Sequence, residues 1–312
     1  MLDKKFEELF LKVSSRAALS SYYLVGKNDK NLADKAAVDT MRSELNKIDM
    51  VGEIVIGEGE LDDAPMLYIG EKVGSMKGPN LDIAVDPLEG TNFAAKNLPG
   101  ALSVIAIAKK DDLFNAPETY MNKISANVEE SDVIDLDYPI KKNIFNLADY
   151  KNKKPENMTA CILDRPRHKK IINELKNLNV NLKLISDGDV SGALLVTDQK
   201  YGVDIFLGVG GGPEGVLAAS ALDAFNCKFQ GRFIFDKEDD KVRAKKMGIV
   251  NFDKKYELNE IVSGDSIFCA TGITSGDLVS GIKVEKDEFF SETLITHKST
   301  GLKKIIQKKQ KI

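Results

Sequence analysis

The segment LDIAVDPLEGT, residues 81–91, does most to limit what this chain can become. Leu81, Ile83, Ala84 and Val85 form a short apolar run, the pattern of a buried strand. Such a strand delivers Asp86 to its carboxyl end, where sites in α/β sheets lie. Pro87 is expected to stop the strand and fix the turn. Glu89 follows three residues after Asp86, Gly90 permits a close backbone approach, and Thr91 offers a hydroxyl. Two carboxylates on a rigid turn, with carbonyls nearby, suit a hard divalent cation such as Mg²⁺ or Mn²⁺. The competing reading is an acidic turn in solvent.

Three further acidic loci lend weight to the cation. Glu58 follows the apolar strand EIVI between Gly57 and Gly59, and Asp62 lies one turn on. Asp34 precedes Val38, Met41 and Leu45 at helical spacing, so it projects from their inward face and needs a charge partner unless it caps the helix. Glu214 opens a helix directly after a strand in GVGGGPEGV, residues 208–216. That segment contains Gly210-x-Gly212-x-x-Gly215, a formal dinucleotide fingerprint. Pro213 removes a backbone donor there, and Glu214 sets a negative charge where a pyrophosphate would rest, so the fingerprint is rejected. At Glu214 the competing role is to complement the helix dipole.

Electrostatics links these carboxylates to a phosphate substrate. Two like charges about 5 Å apart cost roughly 3 kcal/mol at an effective dielectric of 20. Four or five carboxylates would repel a phosphate unless two or more divalent ions stood between them.

The rest of the sequence narrows the class. A helix is expected to open the chain on Phe6, Leu9, Phe10, Val13, Ala17 and Leu24, with a second over 33–45. Strands are expected at 53–56, 81–85 and 102–108. Beyond the polar, Lys/Asn-rich stretch 141–157, strands at 159–163, 180–185 and 203–209 alternate with helices at 168–178, 190–196 and 213–225. Final strands are expected at 267–270 and 292–297. This rhythm predicts a mixed α/β fold with a largely parallel sheet in the second half and a subdomain boundary at 155/156.

No apolar run approaches the roughly 20 residues that span a bilayer, and the N-terminus lacks a signal peptide's apolar block. A cytoplasmic location is therefore expected. The net charge of −4 argues against nucleic acid as a partner. The basic tail from Lys303 is expected to be solvated surface. Cys161, Cys227 and Cys269 are odd in number and widely spaced, the pattern of buried free thiols. The chain's 2 histidines, His168 and His297, are not spaced for a metal.

With these residues set out, a resemblance is plain. DPLEGT with an upstream GEGE resembles the lithium-sensitive, magnesium-dependent phosphatase superfamily, which includes inositol monophosphatases and fructose-1,6-bisphosphatases. A fuller set resembles the class II fructose-1,6-bisphosphatases of bacteria. It comprises KNxAD at 30–34, VIGEGExDxAPMLYIGE at 55–71, NAPETYMxK at 115–123 and RPRH at 165–168. DGDV at 187–190, GGPEG at 211–215 and FCATGITxGDL at 268–278 complete it.

The resemblance implies a layered αβαβα sugar-phosphatase fold, with an N-terminal metal-binding subdomain (1–155) and a C-terminal substrate-binding one (156–312). It implies that Asp34, Glu58, Asp86, Glu89 and Glu214 hold two or more Mn²⁺ or Mg²⁺ ions, the Leu88 carbonyl being a candidate addition. Thr91 and Asp62 match the residues that orient the attacking water, and Lys30 a basic residue beside the reacting phosphate. Glu89, Gly90, Thr91, Tyr120, Arg165, Pro166, Arg167, Asp187, Gly188, Asp189 and Gly211 match positions that hold substrate. Many members carry Lys where this chain has Arg165.

A bisphosphate needs a second anion site, and two arginine forks can grip one. The expected activity is hydrolysis of fructose 1,6-bisphosphate to fructose 6-phosphate and phosphate, in gluconeogenesis, by a homo-oligomer with a small-molecule sugar bisphosphate as partner and no membrane. Three alternatives stand beside it: dual action on sedoheptulose 1,7-bisphosphate, an inositol-monophosphatase-like activity, and a non-catalytic metabolite-binding protein on this scaffold.

Overall fold

The computed structural model describes residues 1–57 and 66–312. The chain divides into two compact units, one from Met1–Asn115 with Val262–Ile312, the other Ala116–Ile261. This division departs from the boundary expected at 155/156. Residues 141–157 hold most of a helix and a 3₁₀ turn inside the second unit, and the last strands return to the first. A polar Lys/Asn-rich stretch marks a solvated helix face as readily as a linker.

The first unit opens with α1 (Lys5–Tyr22) and α2 (Lys30–Leu45). Its strands are β1 (Val51–Ile56), β2 (Lys72–Val73), β3 (Asn80–Glu89) and β4 (Leu102–Lys109), with the short helix α3 (Thr91–Lys96) between β3 and β4. The second unit contributes β5 (Tyr120–Ala126), α4 (Ile140–Tyr150), β6 (Thr159–Leu163), α5 (Lys169–Asn177), β7 (Asn181–Ile185) and α6 (Asp189–Leu194). It continues through β8 (Ile205–Gly211), α7 (Gly212–Ala224), β9 (Lys228–Ile234), α8 (Glu238–Lys246), β10 (Tyr256–Glu257) and α9 (Leu258–Ile261). The chain then re-enters the first unit as β11 (Ser266–Gly272), β12 (Lys283–Glu285), β13 (Glu288–His297) and β14 (Leu302–Lys311).

Among the described residues the first unit has an eight-stranded sheet in the order β12-β13-β11-β4-β3-β1-β2, with β14 paired to β13. The β1–β3 pair is parallel and the others are antiparallel. Helix α1 lies on β4, β11 and β13. Phe6, Phe10, Leu11 and Val13 fill the core with Val38, Met41 and Leu45 of α2 and the strand residues Ile83, Ile105, Ile267 and Phe289. Small residues let the helices approach, and the Ser20 and Ser21 hydroxyls donate to the Ala36 and Ala33 carbonyls at 2.9 and 3.0 Å. The N-terminal end is tied down by His297, whose Nδ1 lies 2.6 Å from Glu7 Oε1 and Nε2 3.3 Å from Asp265 Oδ2.

In the second unit the described residues form a six-stranded sheet, β10-β9-β5-β8-β6-β7. It is mixed, not largely parallel as expected: β6 runs parallel to β7 and β8, but β5 is antiparallel to both β8 and β9. The periodic β–α–β stretch 159–211 was readable as parallel. Strand β5 precedes it and slots in between β8 and β9, a long-range pairing that local pattern does not encode. Ile124, Ala160, Ile205 and Leu207 form a core with Ile144 and Leu147 of α4 and Leu175 of α5. Helix α7 packs on β5, β8 and β9.

One further expectation is corrected and one is extended. Strand β3 does not stop at Pro87; it runs to Glu89, and its register with β4 shifts between Asp86 and Glu89. A proline is tolerated in such an irregular stretch because no ladder donor is needed there. The basic tail is solvated, as expected, and it is also strand β14, paired with β13 along ten positions from Glu288↔Lys311 to His297↔Leu302. Its lysines and glutamines suit an edge strand. The three cysteines are free and buried, as expected. Among the described residues, no helix is long and apolar enough to cross a membrane.

Phe10 is 0% exposed at the centre of this packing. Truncating a buried phenylalanine costs about 3–5 kcal/mol, so Phe10→Ala should lower the free energy of unfolding by that amount, read as a lower urea midpoint with an unchanged slope.

Candidate active site

Within the first unit, the sequence places its acidic residues at the ends of core elements. Helix α2 is capped by Asp29, whose Oδ1 accepts from the Leu32 N–H at 2.9 Å. Asp34 therefore does not cap; it sits in the helix body, half-buried between Ala33 and Ala37. Lys30, the first residue of α2, is exposed and lies four positions before Asp34, on the same face. The loop ahead of α2 is bonded to α3: Gly26 N–H and Asn28 N–H each donate at 2.9 Å, to the Ala94 and Ala95 carbonyls. Helix α2 also packs on α3.

At the end of β3, Asp86 is half-buried, Leu88 is buried and Glu89 is 4% exposed. Gly90 then takes φ 78°, which no β-carbon tolerates well. A Cβ there would also lie 2.8 Å from the Phe93 ring. This left-handed turn starts α3 at Thr91, directly after the two carboxylates. Gly57 ends β1 where a Cβ would meet the Leu67 carbonyl oxygen at 2.0 Å. Glu58 and Asp62 lie outside the described residues.

The second unit gathers its candidates at the carboxyl ends of β6, β7 and β8. After β6, Arg165 is extended and Pro166 occupies the first position of a 3₁₀ turn ending at His168. Arg167 donates through Nε and Nη2 to the Val209 carbonyl at 2.9 and 2.8 Å, and its guanidinium lies 4.8 Å from the Tyr120 ring centroid. Arg165 Nη2 is 3.9 Å from Asp187 Oδ1. Gly188, at φ 84°, precedes α6, so Asp187 and Asp189 emerge on either side of a turn that glycine makes possible. Gly211 pairs with Tyr120 across β8 and β5 and precedes α7, which carries Glu214 in its first turn.

The reading of residue patterns passed over two groups here. Lys123 of β5 is buried, and its Nζ donates to Asp189 Oδ2 and, at 2.7 Å, to the Gly211 carbonyl. Its signal was a single lysine among Met121, Ile124 and Ser125. Burial pushes the Glu214 carboxyl above its ordinary range, while the Lys123 ammonium pulls it back. His168, which the sequence marks only as a histidine out of metal spacing, is also buried. Its Nδ1 lies 2.7 Å from the Leu163 carbonyl and its Nε2 accepts the Val209 N–H at 2.7 Å, an arrangement that requires the neutral ring with its proton on Nδ1. The Val209 peptide is thus held by His168 on one side and Arg167 on the other.

Among the described residues, no three carboxylate, imidazole or thiol groups are gathered as an ion would need. Of the five expected ligands, Asp34, Asp86 and Glu89 belong to the first unit and Glu214 to the second, while Glu58 is not described. The donor set is nonetheless chemically consistent: oxygen ligands throughout, which suit a hard divalent cation.

Burial, helped by the neighbouring Arg167 cation, lowers the His168 pKa below its usual 6.5. The unfolded chain then takes up a proton that the folded chain resists. Stability should be full above about pH 6.5 and decline as pH falls below it. In urea unfolding between pH 5 and 8, His168→Phe should flatten this slope relative to the parent and cost about 1–3 kcal/mol at pH 8, since Val209 N–H loses its acceptor.

Comparison with known proteins bears on the whole chain. The family described as bacterial fructose-1,6-bisphosphatase, glpX-encoded, matches residues 4–310. A D-fructose 1,6-bisphosphatase class 2/sedoheptulose 1,7-bisphosphatase of Prochlorococcus marinus (strain AS9601) is 41% identical over 299 residues, 91% of this chain and 90% of its own. A protein of the same name from Synechococcus sp. (strain JA-3-3Ab) is 38% identical over 319 residues, 94% of this chain and 92% of its own. Among solved structures, an IMPase of Thermotoga maritima covers 63% of this chain and 78% of its own at 13% identity and a TM-score of 0.33. A family match along almost the full length, with relatives near 40% identity end to end, settles the assignment: this chain belongs to the class II fructose-1,6-bisphosphatase family of bacteria.

Proposed function

We propose that this chain hydrolyses fructose 1,6-bisphosphate at C1, giving fructose 6-phosphate and inorganic phosphate in gluconeogenesis, with Mn²⁺ or Mg²⁺ as cofactor. The observation that carries the substrate reading is the cluster in the second unit: Arg165 and Arg167 after β6, Asp187 and Asp189 after β7, and Tyr120 at the start of β5, against the Arg167 guanidinium. A monophosphate would not need two arginines. Arg167 spends two of its five donors on Val209, which orients the fork and leaves others for an anion. Asp189 Oδ1 is buried and accepts no hydrogen bond from the described residues, a place for a sugar hydroxyl to donate.

In this reading Asp34, Glu58, Asp86, Glu89 and Glu214 hold the ions, with the Leu88 carbonyl as a further donor. Bound divalent ions neutralise the phosphate and acidify a water molecule. Thr91 orients the attacking water with help from Asp62, and Lys30 faces the reacting phosphate. Glu89, Gly90 and Thr91 line that phosphate's place. Tyr120, Arg165, Pro166 and Arg167 take the second one, while Asp187, Gly188, Asp189 and Gly211 hold the sugar. Neither histidine is free for covalent chemistry, because His168 and His297 are both buried in hydrogen bonds. The names of the relatives favour sedoheptulose 1,7-bisphosphate as a second substrate. The cytoplasm and a homo-oligomeric state fit a metabolic enzyme of this kind.

A phosphate-release panel tests the reading. With Mn²⁺ or Mg²⁺, fructose 1,6-bisphosphate should be cleaved faster than fructose 6-phosphate or an inositol monophosphate. Asp86→Ala should abolish metal-dependent release; full activity in that variant would sink the proposal. Arg167→Ala should raise KM about tenfold or more with little change in kcat, the signature of lost uniform binding.

A further inference from the structure

The alternation along β5 turns Met121 and Lys123 toward the first turn of α7, where a Cβ at Gly215 would come 2.7 Å from the Met121 sulfur and 3.3 Å from Lys123 Cδ. Lys123 is 1% exposed. An ammonium taken this far from water must be matched by hydrogen-bonded partners. It has two, the Asp189 carboxylate and the Gly211 carbonyl, which stand at the starts of α6 and α7. One cation therefore ties two helix beginnings together. The floor beneath is glycine: a Cβ on Gly210 would lie 2.0 Å from Asp189 Oδ2, and one on Gly211 would lie 1.8 Å from Glu214 Oε2. Asp189 and Glu214 rest on consecutive residues of one strand end, and Lys123 holds both the first carboxylate and the turn that bears the second.

We propose that Lys123 is a positioning residue for the hydrolytic reaction. It keeps Asp189 placed for the sugar and the Gly211–Glu214 turn placed for an ion, so that substrate recognition and ion loading depend on one buried ammonium. The inference rests on the bisphosphatase reading above. Lys123 touches neither substrate nor ion in this role; its effect passes through Asp189 and Gly211.

The experiment titrates fructose 1,6-bisphosphate and Mn²⁺ in phosphate-release assays of the parent, Lys123→Met, Lys123→Arg, Asp189→Asn and the Lys123→Met/Asp189→Asn double variant. Mn²⁺ binding is also read directly from the electron paramagnetic resonance of the free ion. Lys123→Met should raise KM about tenfold or more and raise the Mn²⁺ needed for half-saturation, and Lys123→Arg should recover part of both. Where Lys123→Met does not fold, the double variant, which removes the charge of Asp189 together with that of Lys123, replaces it. That variant should need more Mn²⁺ than Asp189→Asn does.

Unchanged KM and Mn²⁺ binding in folded Lys123→Met, or a double variant that binds Mn²⁺ like Asp189→Asn, would overturn the proposal. So would a loss confined to kcat. A parent protein that releases no phosphate from this substrate defeats the bisphosphatase reading instead, and the resonance titration still reports whether Lys123 governs the ion.

Discussion

Carrying negative charge to the end of a buried strand is the constraint around which the second unit is arranged. A carboxylate cannot be left in an apolar interior without a partner, and the chain answers with Lys123. Its ammonium meets Asp189 and the Gly211 carbonyl. Consecutive glycines supply the room, since side chains at positions 210 and 211 would occupy the space of the Asp189 and Glu214 oxygens. Sequence, backbone and electrostatics meet here: the GGG run belongs to the placement of acids at a strand end, not to a nucleotide loop.

The same economy governs the arginine side of the cluster. His168 and Arg167 both act on the Val209 peptide, one accepting its N–H and the other donating to its carbonyl. A buried imidazole thereby fixes a strand end against which an exposed guanidinium is braced, and Tyr120 offers its ring as a second support. Neither residue needs to be rigid alone. The first unit follows a related plan, with Gly90 in the left-handed conformation so that a helix can begin immediately after Asp86 and Glu89.

Much of this was legible from residues alone. The strand before Asp86, the helices on Phe10 and Met41, and the alternation from Thr159 to Ala224 follow from periodicity that burial imposes. The arginine pair and the DGD turn stood out only through the family resemblance; on their own they read as surface charge at a helix start and as a plain turn. What escaped was non-local. The insertion of β5 between β8 and β9 joins residues 79 to 114 positions apart, so no local pattern announces it. Strand β14 was hidden by its lysines, which speak of solvent and say nothing of pairing. Lys123 closes a sequence motif that gives no sign of its role, because its partners lie in two later elements. The return of 262–312 to the first unit was invisible for the same reason.

That return has a bearing on how the polypeptide matures. The sheet of the first unit needs β11 and β13 beside β4, and its opening helix is pinned by Glu7 to His297, some 290 positions later. A chain emerging from the ribosome can complete the inserted unit, Ala116–Ile261, while the unit begun first still lacks half its strands. The amphipathic opening helix can meet α2, β3 and β4 early, but the part of its apolar stripe that lies on β11 and β13 must wait for the last fifty residues. Contacts of such long range close slowly, so the first unit is completed only after the inserted one.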